Sequence, residues 1–203
     1  MDNLRKSIES RIRERGAGWV FSRKDLRDIA PSGSIGVILC RLEKDGMIRR
    51  VGRGLYDYPE RSDLLGEELP PILDQAAQAI ARKHRWVIAP DGAMAANMLN
   101  LSLQVPAKIV YLSNGPTRQF NVGNQTIIFR HASPKDLDME HYSSRIIAQA
   151  LRFLGKEKMD GKVIKHLRNK LTDQEKTDLF RDIRFGTDWI LDMAQKLMKD
   201  DHE

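Results

Sequence analysis

The sequence predicts an α+β protein in two parts: a small basic module at the N-terminus and a larger, near-neutral α+β domain with a helical tail. Three observations carry this. Apolar residues recur at helical spacing through much of the chain, with short β-prone runs between them. Charge is unevenly divided, since residues 1–62 hold 14 Lys+Arg against 9 Asp+Glu while residues 63–203 hold 20 against 19. Of 203 positions, 41% are hydrophobic and 31% charged with a net charge of +6, which allows a packed core and argues against a disordered chain.

The elements follow in order. Leu4, Ile8 and Ile12 stand at i, i+4, i+8 among charged residues, an amphipathic helix that Gly16 and Gly18 end. Trp19-Val20-Phe21 is a short β-prone run. Ser22 with Asp25 three positions on is a capping box opening a short second helix, with Leu26 and Ile29 inward, which Ala30-Pro31-Ser32-Gly33 breaks. A third helix runs from about Ser34 to Asp45, with Gly46 past its end. Ile35, Ile38, Leu39 and Leu42 share its inner face; Ser34, Val37, Arg41 and Lys44 share the opposite one. Cys40, mid-helix beside core positions, reads as a buried structural thiol. Met47–Val51 and Leu55–Tyr58 flank Gly52-Arg53-Gly54, a hairpin whose tip carries Arg53.

Helix, strand, helix, turn, helix and basic hairpin within about sixty residues is the order of a winged helix-turn-helix, and the excess positive charge sits in the same stretch. The major groove of B-DNA admits one helix, and short side chains at that helix's start let it approach the base edges. Flanking Arg and Lys neutralise phosphates and release counterions. The expected DNA-contacting residues are Arg23, Lys24, Ser32, Ser34, Val37, Arg41, Lys44, Arg49, Arg50 and Arg53. The alternative for the same elements is a winged helix used for protein contacts.

The expected domain boundary is 62/63, with Pro59–Pro71 as an irregular linker. Beyond it the sequence predicts a helix from Ile72 to His84, a strand at Trp86–Ala89, a small-residue helix at Ala93–Leu99 and a strand at Ile109–Leu112. A hairpin over Arg118–Phe129 follows, then helices at Tyr142–Leu154, Asp160–Leu171, Asp173–Ile183 and Thr187–Met198. Thr172 and Glu175 form a second capping box.

Catalytic patterns are missing from this stretch. The five histidines show no H-x-x-x-H spacing, Asp136 and Asp138 read as loop or cap residues, and no phosphate-binding glycine loop or nucleophile elbow occurs. The expectation is a non-enzyme without metal or cofactor. One cysteine, no apolar leader and no run long enough to span a bilayer make the cytoplasm the expected location.

Several stretches together resemble a known family: Arg49-Arg50-Val51-Gly52-Arg53-Gly54-Leu55-Tyr56, the segment Ala89-Pro90-Asp91-Gly92-Ala93 through Asn97 and Leu99 to Gln104-Val105-Pro106-Ala107, the strand Ile109–Gly115 and the Arg118 hairpin. Over roughly residues 5–135 the chain is similar to the AbiEi-type antitoxins and transcriptional regulators of type IV, abortive-infection, toxin–antitoxin systems. The resemblance implies a winged helix that binds inverted repeats in its own promoter and represses the operon. It also implies a nucleotidyltransferase-like toxin countered without a stable complex, a C-terminal domain carrying antitoxicity, and a monomer or weak dimer paired on DNA. Two other functions remain open on the residues alone: a ligand-responsive winged-helix regulator, and a nucleic-acid-modifying enzyme targeted by the winged helix. Gln104-Val105-Pro106 is read as an extended turn rather than a groove, and Asn97 as a satisfied structural amide.

Overall fold

The computed structural model describes residues 2–183 and 188–198. Helices alternate with short strands in small sheets, so the mixed α+β class holds.

α1 (Asp2–Arg15) buries Ile8 and Ile12, the two positions whose spacing predicts it. Each contributes roughly 2 kcal/mol by leaving water, and a helix this short is marginal without such packing. β1 is Val20–Phe21. The Ser22–Asp25 capping box forms, but it opens a single 3-10 turn, Arg23–Leu26, where an α-helix was expected. Pro31 lies too close downstream for that turn to propagate. α2 (Ser32–Lys44) starts two residues before the expected Ser34, because the carbonyl of Pro31 already accepts the N–H of Ile35. Its far end behaves as expected: Gly46 takes φ +71°, and the N–H groups of Gly46 and Met47 return to Glu43 and Leu42 at 3.1 and 3.0 Å.

β2 (Arg49–Gly52) and β3 (Leu55–Asp57) pair antiparallel, with Arg49 opposite Asp57, Arg50 opposite Tyr56 and Gly52 opposite Leu55. The register shifts between Arg50 and Gly52, and Arg53-Gly54 makes a two-residue turn with Gly54 at φ +68°. β1 joins the other edge of β3, giving the order β1-β3-β2. Ile8, Ile12, Phe21, Leu26, Ile35, Ile38, Leu39, Leu42, Ile48 and Tyr56 form one core beneath these elements.

Packing divides the chain elsewhere than at the expected 62/63 boundary. One compact unit is Met1–Trp86 with Gln119–Ile127; the other is Val87–Arg118 with Ile128–Glu203. The reason is α3 (Leu73–His84). It buries Ala76, Ala77, Ala79, Ile80 and Ala81, and it packs on β1 and the 3-10 turn. Arg82 fixes it there, with Nε 2.6 Å from Asp25 Oδ1 and an Nη donating to the Val20 carbonyl at 2.9 Å. The expected linker folds back on itself, with Arg61 bridged to Glu68 and the Leu69 N–H on the Glu60 carbonyl. The returning stretch closes on β2: the Gly123 N–H donates to Val51 O at 2.8 Å, and a Cβ on Gly52 would sit 2.8 Å from Asn121 O.

A second sheet has the order β4-β5-β7-β6, from β4 (Ile88–Pro90), β5 (Ile109–Ser113), β6 (Arg118–Val122) and β7 (Gln125–His131). β4 pairs antiparallel with β5, Ala89 opposite Leu112, and Pro90 is tolerated because β4 is an edge. The helices are α4 (Gly92–Met98), α5 (Pro134–Leu137), α6 (Tyr142–Leu154), α7 (Gly161–Lys170), α8 (Asp173–Asp182) and α9 (Asp188–Met198), with a 3-10 turn at Lys156–Lys158. Thr187, expected to start the last helix, lies outside the described residues. The Thr172–Glu175 capping box forms as read. Ala95, Ala96, Ile147, Ala148, Leu151, Leu167, Leu179, Ile190 and Leu197 share the core of these helices. Asn97 Nδ2 donates to the Ser102 and Gln104 carbonyls, so the amide is structural. Among the described residues no helix is long and apolar enough to cross a membrane.

Candidate nucleic-acid interface

The outer face of α2 is built from small and cationic residues. Ser32, Gly33, Cys40, Arg41 and Lys44 are exposed, Val37 is 49% exposed, and Ser34 is half-buried. An open groove of about 500 Å³ is lined by Arg23, Gly33, Gly36, Val37, Cys40, Arg41 and Lys44, with no carboxylate among them. Arg23 reaches this face from the 3-10 turn; its guanidinium lies 3.1–3.3 Å from where a Cβ on Gly36 would be. No side chain caps the start of α2, so its first N–H groups meet no competing acceptor from the Pro31 position.

Cys40 corrects the sequence reading. Its thiol is exposed. Position 40 follows 33, 36 and 37 at helical spacing and precedes 44, which places it on the outer stripe although its chain neighbour Leu39 is core.

A partition of the acids gives this face its field. Glu9, Asp25, Asp28, Asp45 and Asp57 are each paired with an arginine elsewhere: Arg5 with Glu9 and Asp45, Arg11 with Asp28, Arg82 with Asp25, and Arg49 with Asp57. Among the described residues, Arg23, Lys24, Arg41, Lys44, Arg50 and Arg53 have no carboxylate within ion-pair distance. The acidic charge of the first sixty residues is therefore largely spent away from the stripe.

Arg49 departs from its expected role. Its Nε and Nη2 grip both Asp57 oxygens at 3.1 and 2.6 Å, and Nη2 also donates to the Leu69 carbonyl at 2.9 Å. The buried Asp57 carboxylate holds the guanidinium's pKa above its ordinary value. Arg49 thus ties β2 to β3, while its neighbour Arg50 is exposed and donates to the Gly52 carbonyl at 3.5 Å.

Sequence reasoning missed Lys83. Lys24 Nζ donates to the Lys83 carbonyl at 2.6 Å, and Lys83 Nζ donates to the Arg53 carbonyl at 2.8 Å. Burial, then Arg53 and Lys24, lower the Lys83 pKa. Its trace in the sequence is the basic run Arg82-Lys83-His84-Arg85, which falls beyond the expected 62/63 boundary and is distant in the chain from the hairpin.

Among the described residues, metal-type donors gather in one place. Glu140, His141 and Asp182 bring ligand atoms within 4.8 Å of one another. His141 Nδ1 is 3.1 Å from Asp182 and Nε2 is 3.7 Å from Asp178, a clasp between the start of α6 and α8. Forty-one residues separate His141 from Asp182, so no local motif could reveal it. Asp136 lies within α5, where it accepts from the Ser133 hydroxyl at 3.0 Å and stands 3.8 Å from Arg152 Nη1, and no side chain caps the start of that helix.

No curated protein matches the chain. A family model does match, over residues 7–179 and hence most of the length, and the chain belongs to that family: DUF6088, a family of unknown function.

Proposed function

We propose that the first unit is a winged helix-turn-helix that binds double-stranded DNA, with α2 in the major groove and the β2–β3 turn as the wing. The observation that carries this is the groove on the outer face of α2, whose lining holds no carboxylate and where Arg23, Arg41 and Lys44 surround Gly33 and Gly36. Glycines there let the helix backbone approach base edges, and the three cations suit the flanking phosphates. Arg50 and Arg53 extend the positive charge to the wing. The role is binding rather than catalysis.

On its resemblance to the AbiEi-type antitoxins, the protein acts as an autorepressor and antitoxin. It recognises inverted repeats upstream of its own gene and counters a nucleotidyltransferase-like toxin without a lasting complex. Gel-shift titration of the full chain on its upstream DNA tests the first half. Arg41→Ala is expected to weaken binding about tenfold and to relax sequence preference, whereas Arg53→Ala weakens all duplexes alike. Unchanged affinity in both variants sinks the assignment. Rescue of growth when the chain is co-expressed with the toxin of the adjacent gene tests the second half; no rescue removes the antitoxin role and leaves the repressor.

A further inference from the structure

We propose that Lys83, Lys24 and Arg53 form an anion site that holds one phosphodiester of the nucleic-acid backbone, bringing the end of α3 into the interface. The inference rests on the reading of the first unit as a duplex-DNA binder. The three cations come from three elements, the 3-10 turn, the β2–β3 turn and the last turn of α3. They meet through two backbone contacts, Lys24 Nζ on Lys83 O at 2.6 Å and Lys83 Nζ on Arg53 O at 2.8 Å.

A lysine at a helix C-terminus is ordinary, because the carbonyl end of the dipole attracts it. That accounts for Lys24, whose ammonium sits on the Lys83 carbonyl in the last turn of α3. It does not account for Lys83, whose ammonium leaves its own helix and lies against the hairpin, 3.2 Å from where a Cβ on Gly54 would be. There it is half-buried between two other cations, and no carboxylate reaches any of the three among the described residues. Burial and the neighbouring charges both disfavour its charged form. An arriving anion offsets both. The cluster is also held firmly: Arg82, one residue back, is locked to Asp25 and Val20, and His84, one residue on, stacks on Trp86 at 4.6 Å between ring centres.

A polymer's phosphate fits better than a free anion. Lys24 follows Arg23 in the chain, Arg23 lies over Gly36 on α2, and Lys83 reaches the β2–β3 turn, so neighbouring positions link the α2 groove, the end of α3 and the hairpin. Lysines act as point charges toward phosphate and demand no particular base, so the site positions the duplex rather than reading it.

The test compares the full chain with its Lys83→Gln and Lys83→Arg variants. Labelled upstream duplex and an unrelated duplex are titrated from low to moderate salt, and binding of inorganic phosphate is followed by the Lys83 side-chain NMR resonance. Lys83→Gln is expected to weaken both duplexes by the same factor, about tenfold, and to reduce the log–log salt slope by about one. Lys83→Arg restores both, the melting temperature stays within a degree or two, and Lys162→Gln in the second unit changes nothing. If wild type binds DNA and Lys83→Gln keeps its affinity and slope, the site is refuted while the DNA-binding reading stands. Saturable inorganic phosphate binding at Lys83 with unchanged DNA affinity refutes it in favour of a free-anion site. If wild type binds neither duplex, the DNA-binding reading falls and the site falls with it.

Discussion

Arg49 and Arg50 are adjacent and chemically identical, yet the sheet gives them opposite fates. Successive side chains on a strand face opposite ways, and the register sets Arg49 across from Asp57, whose side chain is 2% exposed. Arg49→Ala strands that carboxylate and is expected to cost about 2–4 kcal/mol in urea unfolding. Arg50→Ala stays within about 0.5 kcal/mol and shows its effect in DNA affinity. Their composition was legible in the sequence; their division was not, because it depends on a partner eight residues away in a register that the bulge shifts. Cys40 teaches the reverse. Its place on the outer stripe follows from helical spacing alone, and only its proximity in the chain to Leu39 obscured it. The native thiol should react with a maleimide at a rate close to that of the unfolded chain, and bound duplex should slow the reaction at least severalfold. Indifference to DNA would mean that the groove is not covered.

At the level of elements, two helix glycines separate packing from function. A Cβ on Gly92 would stand 2.5 Å from Phe153 Cβ and 3.2 Å from the Gln149 carbonyl, obstacles that cannot swing aside. Ala95 and Ala96 of α4 and Ala148 and Ala150 of α6 are likewise buried, so these two helices pack through small residues. Gly92→Ala should cost about 2 kcal/mol by thermal unfolding. A Cβ on Gly36 would meet only the end of the exposed Arg23 side chain. Gly36→Ala should therefore stabilise α2 by about 0.5–1 kcal/mol through helix propensity, while displacing Arg23 and weakening DNA binding. The helices α6 and α8 were readable because long apolar periodicity and a capping box determine them locally. The start of α2 was not, since Ser34 imitates a cap while Pro31 occupies that position.

For the whole molecule, the boundary was the least legible feature. Pro59–Pro71 has the composition of a linker, but α3 carries a buried alanine face that needs β1 and the 3-10 turn, and a surface of that kind leaves no local mark on where it docks. Acid sensitivity belongs to this scale too. Burial alone would raise the Asp182 carboxyl, yet hydrogen bonds to it, led by the His141 backbone N–H, outweigh burial and hold the pKa below its ordinary value. A depressed carboxylate stabilises above its unfolded pKa and loses that contribution as pH falls through the folded one. Asp182→Asn should thus cost about 1–2 kcal/mol at pH 7, with the gap from wild type closing below about pH 4 in denaturant titrations.

The return of Gln119–Ile127 to the first unit bears on how such a protein could be exchanged between genes. A DNA-binding head that ends in one cut can be transplanted as a cassette. The first unit cannot be moved that way, because a fusion made at residue 62 or at residue 86 leaves behind the stretch whose Gly123 closes on Val51 and whose Asn121 carbonyl abuts Gly52. The two halves are bound to be inherited together, and under the DNA-binding function proposed above a new target sequence is expected to come by substitution on α2 and the β2–β3 turn rather than by exchange of the first unit.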